Sequence, residues 1–460
     1  MSPLIAVFAL LLALTSLVFT YLSGSFQNPG EGIREFFREP TPHETYLLGL
    51  SQAGLSTSAL GQDWMEAAST ALRRPLPVEL PYQEEAFFSS DEAGALGYRI
   101  SLRRGQQLTV DLRQEEFPGA RVFVDLFRVA PDTLRPPVHV FSPAVGEPLA
   151  YEPRRSADYI LRIQPELLRG GRLRVVIQNP PVLAFPVSGQ THRSIGSVFG
   201  DPRDGGRRRH HGVDIFAPRG TPVIAAGDAY VRRTDTTNIG GRVIWLRDAR
   251  RNASIYYAHL NEILVEEGSR VRTGDTIGTV GNTGNARTTP PHLHFGLYIR
   301  GEGPFDPWDF LYESGRPLPE VRVAVEDIGR WARIRGEGIS LRDEPGPRGN
   351  VLANLPRHTA LRLLGGVDQW YRVRLPDGSS GFVAARLTEE MAEPLWLERM
   401  AGDQSIQAEP YPEAPVMARA QDGADLPVLG RFGDFLFVKP PEGRPGWVVP
   451  SADGQAQGEL

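Results

Sequence analysis

The stretch HHGVDIFAP at residues 210–218 tells most about the fold of this chain. It places His210 and Asp214 four positions apart. Gly212 and the β-branched valine after it disfavour a helix, so we expect a strand, in which positions i and i+4 lie on the same face. His210 and Asp214 should therefore converge, while His211 points away from them or lies at the rim.

Further along the chain, three more histidines have strand-like surroundings. His292 and His294 are separated by one residue, which places both imidazoles on one face of a strand. His259 lies in the stretch YYAHL and could join the same cluster. Any one of these histidines alone is better explained as a surface or core residue. The paired spacings, taken together with Asp214, indicate a site.

The composition limits what that site can be. The chain has no cysteine, so thiolate metal sites, disulfides and cysteine nucleophiles are excluded, and a metal would be held by His and carboxylates. A catalytic zinc keeps three protein ligands and one open position, which two His and one Asp satisfy. The formal net charge of −5 gives no reason to expect a nucleic-acid partner.

A set of short motifs resembles the lysostaphin-type (LytM) zinc metallopeptidase domain, in that family's order and spacing. They are VFG at 198–200, HHGVDIFAP at 210–218, GTPV at 220–223, AAG at 225–227, YAHL at 257–260, GDTIG at 274–278, GNTG at 281–284 and PHLHF at 291–295. Two departures, Thr289-Pro290 before the last motif and Gly296 after it, concern substrate fit and not the metal set. The family's fold is β-rich, with a groove over a sheet.

The resemblance implies roles for the five residues. His210, Asp214 and His294 would hold Zn²⁺, His292 would act as general base, and His259 would stabilise the oxyanion. The implied activity is hydrolysis of peptide cross-links in bacterial peptidoglycan. Two alternatives stay open: a non-catalytic adaptor that activates another wall hydrolase, and a zinc peptidase that acts on protein substrates.

The whole chain is expected to be mainly β and multidomain. The expected order is a membrane anchor or signal segment at 1–26, a linker with short helices at 27–77, a β-sandwich at 78–180, the zinc peptidase domain at 186–312, and SH3-like domains at 325–390 and 393–452. The apolar, uncharged residues 3–22 are long enough to cross a bilayer. An uncleaved anchor is favoured over a cleaved signal because no Lys or Arg precedes them.

The regions before and after the histidine motifs show different periodicities. Gly49, Gly54 and Gly61 are expected to break the first region into short helices, and period-two runs from 78 to 178 predict the sandwich. After the motifs, LRDEP at 341–345 aligns without a gap with IQAEP at 406–410, which indicates a duplication. Both copies resemble bacterial SH3-like barrels, and wall binding and a spacer role remain open.

These features together predict an envelope protein. Its partners would be peptidoglycan peptides, the membrane through the N-terminal helix, and envelope proteins. The run Arg207–Arg209 could hold an acidic substrate group or simply be solvated. The position of the N-terminal domains ahead of the peptidase raises the hypothesis that they hold it latent.

Overall fold

The computed structural model describes residues 38–114, 119–132 and 135–450. No helix within these ranges combines the length and apolarity that a bilayer crossing requires. The segment expected to be an anchor, residues 1–26, lies outside the described residues. The described chain is mainly β, as expected, and it divides into two compact units, one up to residue 62 and one from residue 63 onward.

In the region in which short helices were expected, the described residues 38–77 form two helices, α1 (Pro42–Gln52) and α2 (Ala59–Arg73). The prediction that Gly49 and Gly61 end helices is wrong, because they lie inside α1 and α2. A glycine inside a helix costs only about 1 kcal/mol, which is too little to end it. Gly54 does lie in the break, with a φ of 71° that favours glycine.

The described residues of the sandwich form nine strands. They are β1 (Leu76–Pro77), β2 (Tyr82–Phe88), β3 (Leu96–Leu102), β4 (Leu108–Gln114), β5 (Val122–Arg128), β6 (Val138–Phe141), β7 (Leu149–Tyr151), β8 (Ala157–Pro165) and β9 (Gly171–Gln178). One sheet has the order β1-β3-β8-β5-β6, and the other contains β2-β9-β4-β7. The alternating residues Tyr98, Ile100 and Leu102 are buried in the core between the sheets. The period-two pattern therefore predicted correctly which side chains of this strand are buried.

The middle of the chain forms an eight-stranded sheet, here called the central sheet. The strands of this region are β10 (Ile195–Ser197), β11 (Pro202–Arg203), β12 (Arg208–Arg209), β13 (Val213–Phe216), β14 (Pro222–Ile224), β15 (Ala229–Thr237), β16 (Gly241–Asp248), β17 (Ala253–Leu260), β18 (Glu262–Ile263), β19 (Arg270–Val271), β20 (Thr276–Thr279), β21 (His292–Ile299) and β22 (Gly303–Phe305), followed by helix α3 (Trp308–Leu311). The central sheet has the order β10-β13-β21-β17-β16-β15-β19, with β22 beside β21.

One face of the central sheet is apolar and the other is not. Leu293 and Phe295 on β21 share a buried core with Val223 on β14 and Ile277 on β20, strands of the small sheet β14-β20-β18. Because side chains alternate along a strand, the residues between them project to the opposite face. We call that opposite face, which carries His294, the groove face.

The C-terminal region contains two repeats. Their strands are β23 (Trp331–Ile334), β24 (Ile339–Arg342), β25 (Val351–Leu355), β26 (Ala360–Val367), β27 (Trp370–Arg374), β28 (Ser380–Ala384) and β29 (Thr388–Glu390), then β30 (Trp396–Arg399), β31 (Gln404–Gln407), β32 (Val416–Ala420), β33 (Asp425–Phe432), β34 (Phe435–Val438) and β35 (Gly446–Val448). Strands β24 to β27 each begin 65 residues before β31 to β34. The bulges in β24 and β26 recur at the matching positions of β31 and β33. This correspondence supports the duplication.

The first repeat and the sandwich share one sheet, which the sequence patterns did not indicate. Strand β26 pairs with β2, with Ala86 opposite Gly365, and the combined sheet has eleven strands. A side chain at position 365 would place its Cβ 2.7 Å from the carbonyl oxygen of Glu85. The glycine therefore allows the two strands to approach.

A buried ion pair crosses the same junction. The Glu84 carboxylate is fully buried and accepts hydrogen bonds from Arg372 Nε (2.6 Å) and Nη2 (2.8 Å). The hydroxyls of Tyr82 and Tyr98 donate to the same carboxylate, at 2.6 and 2.9 Å. Burial opposes the charge on Arg372, but Glu84 outweighs it and raises the pKa of the guanidinium. The junction therefore depends on a charge pair whose carboxylate is fully buried and whose arginine side chain is 18% exposed.

Candidate metal and active site

The pairing of two strands brings three potential ligands together. Strand β13 runs antiparallel to β21, with Asp214 directly opposite His294. His210 lies on the loop just before β13 and not on the strand, contrary to the expectation from its spacing. His210 Nε2, Asp214 Oδ1 and His294 Nδ1 nevertheless lie 3.0 Å from one another in each pair. This triangle is a group that could hold a metal ion.

Hydrogen bonds outside the triangle orient its members. His210 Nδ1 donates to the carbonyl oxygen of Val198 (2.9 Å), which fixes the tautomer that leaves Nε2 free to bind a metal. Burial opposes ionisation of Asp214, but its hydrogen bonds with His210 and His294 dominate and hold its pKa well below the usual range. Burial lowers the pKa of His294, against the opposing effect of Asp214. Two imidazoles and one carboxylate form the donor set.

Two further histidines lie beside the triangle. The ring centroids of His259 and His292 are 5.0 Å apart, and those of His259 and His294 are 6.0 Å apart. His292 Nδ1 donates to the carbonyl oxygen of Pro290, and His259 Nδ1 donates to that of Thr283, both at 2.9 Å. A carbonyl only accepts, so in the neutral form each ring keeps an unprotonated Nε2.

His259 has an unusual environment. Burial, reinforced by the nearby His292 and His294, lowers its pKa to about 4, although the bond to Thr283 opposes the shift. Its backbone φ of 62° lies in the left-handed region, which is uncommon for a residue other than glycine. Strained backbone of this kind is concentrated at functional sites. His259 is therefore neutral in the neutral pH range and held in an unfavourable backbone conformation.

Sequence reasoning missed Arg203, which contacts the triangle directly. Its Nη2 donates to Asp214 Oδ2 at 2.6 Å and to the Ser197 hydroxyl at 2.7 Å. The carboxylate of Asp214 is thus divided, with one oxygen in the triangle and the other held by a guanidinium. Arg203 belongs to the two-residue strand β11, which is too short to produce a periodic signal. The predicted run beside the site lies elsewhere on this hairpin, with Arg209 donating to the carbonyl oxygen of Gly200.

Replacing Gly212 by Ala should weaken metal binding. The added Cβ would lie 2.3 Å from the carbonyl oxygen of Phe295 and 3.0 Å from His294 Nε2, so β21 must shift relative to β13. Displacing groups that position metal ligands typically lowers affinity about 10- to 100-fold. Chelator competition on the purified protein would measure the zinc Kd. Gly336→Ala is the control, because its Cβ meets nothing closer than 3.6 Å. An unchanged Kd for Gly212→Ala would contradict the packing argument.

Aromatic residues extend from the triangle along the groove face. The ring of Tyr256 lies 5.8 Å from His294 between centroids, Trp245 lies 4.3 Å from Tyr256, and Tyr298 lies 5.2 Å from Trp245. Sequence reasoning passed over them, although Tyr298 stands four positions after His294 and so shares its face. His211, by contrast, is exposed, and its ring stacks 6.5 Å from that of Phe199.

Comparison with known families assigns two segments of the chain. Residues 208–307 match Peptidase family M23, and residues 337–389 match the bacterial SH3 domain. The first match contains the triangle residues His210, Asp214 and His294, and also His259 and His292. The resemblance to the LytM-type domain and to the SH3-like domain is thereby confirmed for these segments.

Two similar proteins have names that state an endopeptidase activity. The L-Ala–D-Glu endopeptidase of Bacillus subtilis (strain 168) is 40% identical over 139 residues, covering 28% of this chain and 42% of that protein. The peptidoglycan DD-endopeptidase ShyC of Vibrio cholerae serotype O1 is 40% identical over 122 residues, covering 26% and 28%. The chain therefore spans less than half the length of these relatives. The solved catalytic domain of lysostaphin from Staphylococcus simulans is 33% identical, covering 25% of this chain and 90% of that one, with a TM-score of 0.24.

Proposed function

We propose that this chain is a zinc-dependent endopeptidase that hydrolyses peptide cross-links of bacterial peptidoglycan. The observation that carries the proposal is the triangle of His210, Asp214 and His294. Beside it lie two histidines whose Nδ1 atoms each donate to a backbone carbonyl oxygen. The M23 match over residues 208–307 and the named activities of the relatives support the substrate class.

The donor set fits zinc. In a tetrahedral site with bonds of about 2.0–2.1 Å, ligand atoms are about 3.3 Å apart, close to the 3.0 Å edges of the triangle. Two imidazoles and one carboxylate are a common catalytic set that leaves one position open. When bound, zinc lowers the pKa of water toward neutrality and polarises the scissile carbonyl. Arg203 holds the outer oxygen of Asp214 and so positions the inner one.

The two remaining histidines supply proton transfer. His292 Nε2 is available to accept the proton of the attacking water, because Nδ1–H is committed to the carbonyl oxygen of Pro290. His259 begins neutral, so it can donate a hydrogen bond to the oxyanion only after its Nε2 gains a proton. The negative charge that develops in the transition state favours transfer of a proton from solvent to this atom, and the proton that His292 accepts from water passes to the leaving amine. We assign His292 as general base and His259 as oxyanion stabiliser on these grounds.

Peptidoglycan lies outside the cytoplasm, so the proposed activity places the protein at the extracytoplasmic side of the envelope. Attachment through residues 1–26 stays a prediction, as do the contribution of the C-terminal repeats to wall binding, the domain boundaries and association with other envelope proteins. The names of the relatives refer to two different bonds, a DD bond and an L-Ala–D-Glu bond. The bond cut by this chain is therefore the main question for experiment.

Digestion of purified peptidoglycan by the full chain should release peptide fragments, and a zinc chelator should stop the release. Added zinc should restore it, because the three ligands are the only protein groups that hold the metal in this proposal. Mass analysis of the fragments would identify the bond. Zinc-loaded protein that releases nothing would contradict the proposal and favour the adaptor alternative. Equal or faster digestion of casein or elastin in parallel would favour protein substrates.

A further inference from the structure

The groove face continues from the metal triangle to the far end of β21. His294, Gly296 and Tyr298 alternate on this face, and Tyr298 lies directly opposite Ser254. Ser254 in turn lies opposite Arg247 on the next strand. The aromatic row described above therefore leads from the triangle to an arginine.

A pocket of about 580 Å³ opens at this end of the groove face. Its lining residues are Arg232, Arg247, Ser254, Tyr298, Ile299 and Arg300. Three of the six carry a guanidinium, and they come from three different strand regions of the sheet. Tyr298 belongs to both the pocket and the aromatic row, so the pocket is continuous with the groove.

The positive charge of this pocket is not balanced by the surrounding protein. Among the described residues, none of the three pocket arginines forms an ion pair with a carboxylate, and Arg247 donates only to the neutral Asn252 Oδ1 at 2.8 Å. The acids that stand closest to Arg247 and Arg300 in sequence are engaged elsewhere: Asp248 pairs with Arg251, and Glu302 pairs with Arg104. Three guanidiniums that converge on one concavity without a counter-charge produce a positive potential that attracts anions.

We propose that this pocket is a subsite for a carboxylate of the wall peptide, a proposal that rests on the proposed function. Tyr298 lies four positions after His294, a distance of about 13 Å at about 3.3 Å per strand residue. An extended peptide covers that distance with about four residues. The pocket therefore receives a carboxylate about four residues from the hydrolysed bond. Guanidinium groups match the planar geometry of a carboxylate and bind it through paired hydrogen bonds.

The test compares one cross-linked wall peptide with free carboxylates and the same peptide with those carboxylates amidated. Binding is measured by calorimetry on the full zinc-loaded chain carrying His292→Ala, so that the peptide stays intact. We expect the free acid to bind about tenfold more tightly than the amide, as charge-assisted hydrogen bonds are the stronger ones. The difference should shrink at 1 M salt, at which the screening length falls to about 3 Å. Equal Kd values for acid and amide would overturn the subsite.

Variants of the pocket arginines test whether the preference for the free acid arises in the pocket. Adding Arg247→Gln or Arg300→Gln should remove most of the preference for the free acid, and two separate variants guard against a folding defect in either one. Arg272→Gln, an exposed arginine outside the pocket, should keep the preference. A preference that survives both pocket substitutions would place the carboxylate elsewhere and overturn the inference.

The same peptides separate this inference from the proposed function. In the chain without His292→Ala, the pocket variants should raise KM for the free acid with little change in kcat. Tight, charge-dependent binding without any cleavage by zinc-loaded protein would refute the proposed activity and leave the subsite standing. Cleavage of acid and amide with the same KM would support the proposed activity and refute the subsite.

Discussion

His292→Ala should reduce peptide hydrolysis by about 100- to 10,000-fold, the usual contribution of a general base, while the protein keeps its zinc. The side chain contributes no atom to the triangle of His210, Asp214 and His294, so metal binding should survive its loss. In the proposed reaction its Nε2 accepts the proton of the attacking water, because Nδ1 donates to the carbonyl oxygen of Pro290. The rate on wall peptides and the zinc content by elemental analysis check the two halves of this prediction.

Two further variants bracket the result. His294→Ala should lose both zinc and activity, since it removes a ligand atom from the triangle. His211→Ala should behave like the parent, because this histidine is exposed, stacks on Phe199 and contributes no atom to the triangle. Hydrolysis by His292→Ala at the parental rate would show that the proton is accepted by another group, with His259 the first to test.

Arg372→Met should destabilise the fold by about 3–5 kcal/mol, the usual cost of removing one partner from a buried ion pair. The substitution leaves the Glu84 carboxylate fully buried without its guanidinium. The hydroxyls of Tyr82 and Tyr98 would still donate to it, but they carry no compensating charge. Chemical denaturation followed by tryptophan fluorescence would measure the change in unfolding free energy.

The same strand provides a matched control. Arg374 stands two residues after Arg372 and pairs with Glu92 at the surface, where both side chains are about one-third or more exposed. Arg374→Met should therefore cost at most about 1 kcal/mol. Adding Glu84→Gln to Arg372→Met should recover part of the lost stability, because it removes the uncompensated charge. Equal effects of the two arginine substitutions would mean that burial of the pair is not what stabilises the junction.

The candidate site was largely predictable because its residues lie in or next to strands. A spacing of two placed His292 and His294 on one strand face, and a spacing of four related His210 to Asp214. The pairing of β13 with β21 then brings Asp214 opposite His294. His210 reaches the site from a loop. Its spacing correctly predicted that it lies near Asp214, but the assumption that both residues lie on one strand was wrong. Arg203 could not be found in this way, because a two-residue strand has no period.

Long-range pairing was the main part of the fold that the sequence did not reveal. Periodicity carries no information on which strand pairs with which, and β2 and β26 pair across more than 270 residues. The glycine expectations failed for a different reason. The helix cost of Gly49 and Gly61 is small beside the packing and hydrogen bonds of a whole helix, whereas the positive φ at Gly54 is a local requirement.

The shared sheet also bears on how the protein can be divided. A chain cut after residue 320 would keep the sandwich and the central sheet, but β2 would lose its neighbour β26 and become an edge strand. Its unpaired backbone groups at Glu85 and Ala86 would be open to strand addition by a second copy. We therefore expect the first C-terminal repeat to protect the sandwich from self-association. It is part of the same sheet and not a separable domain. Shortened versions meant for expression should retain it.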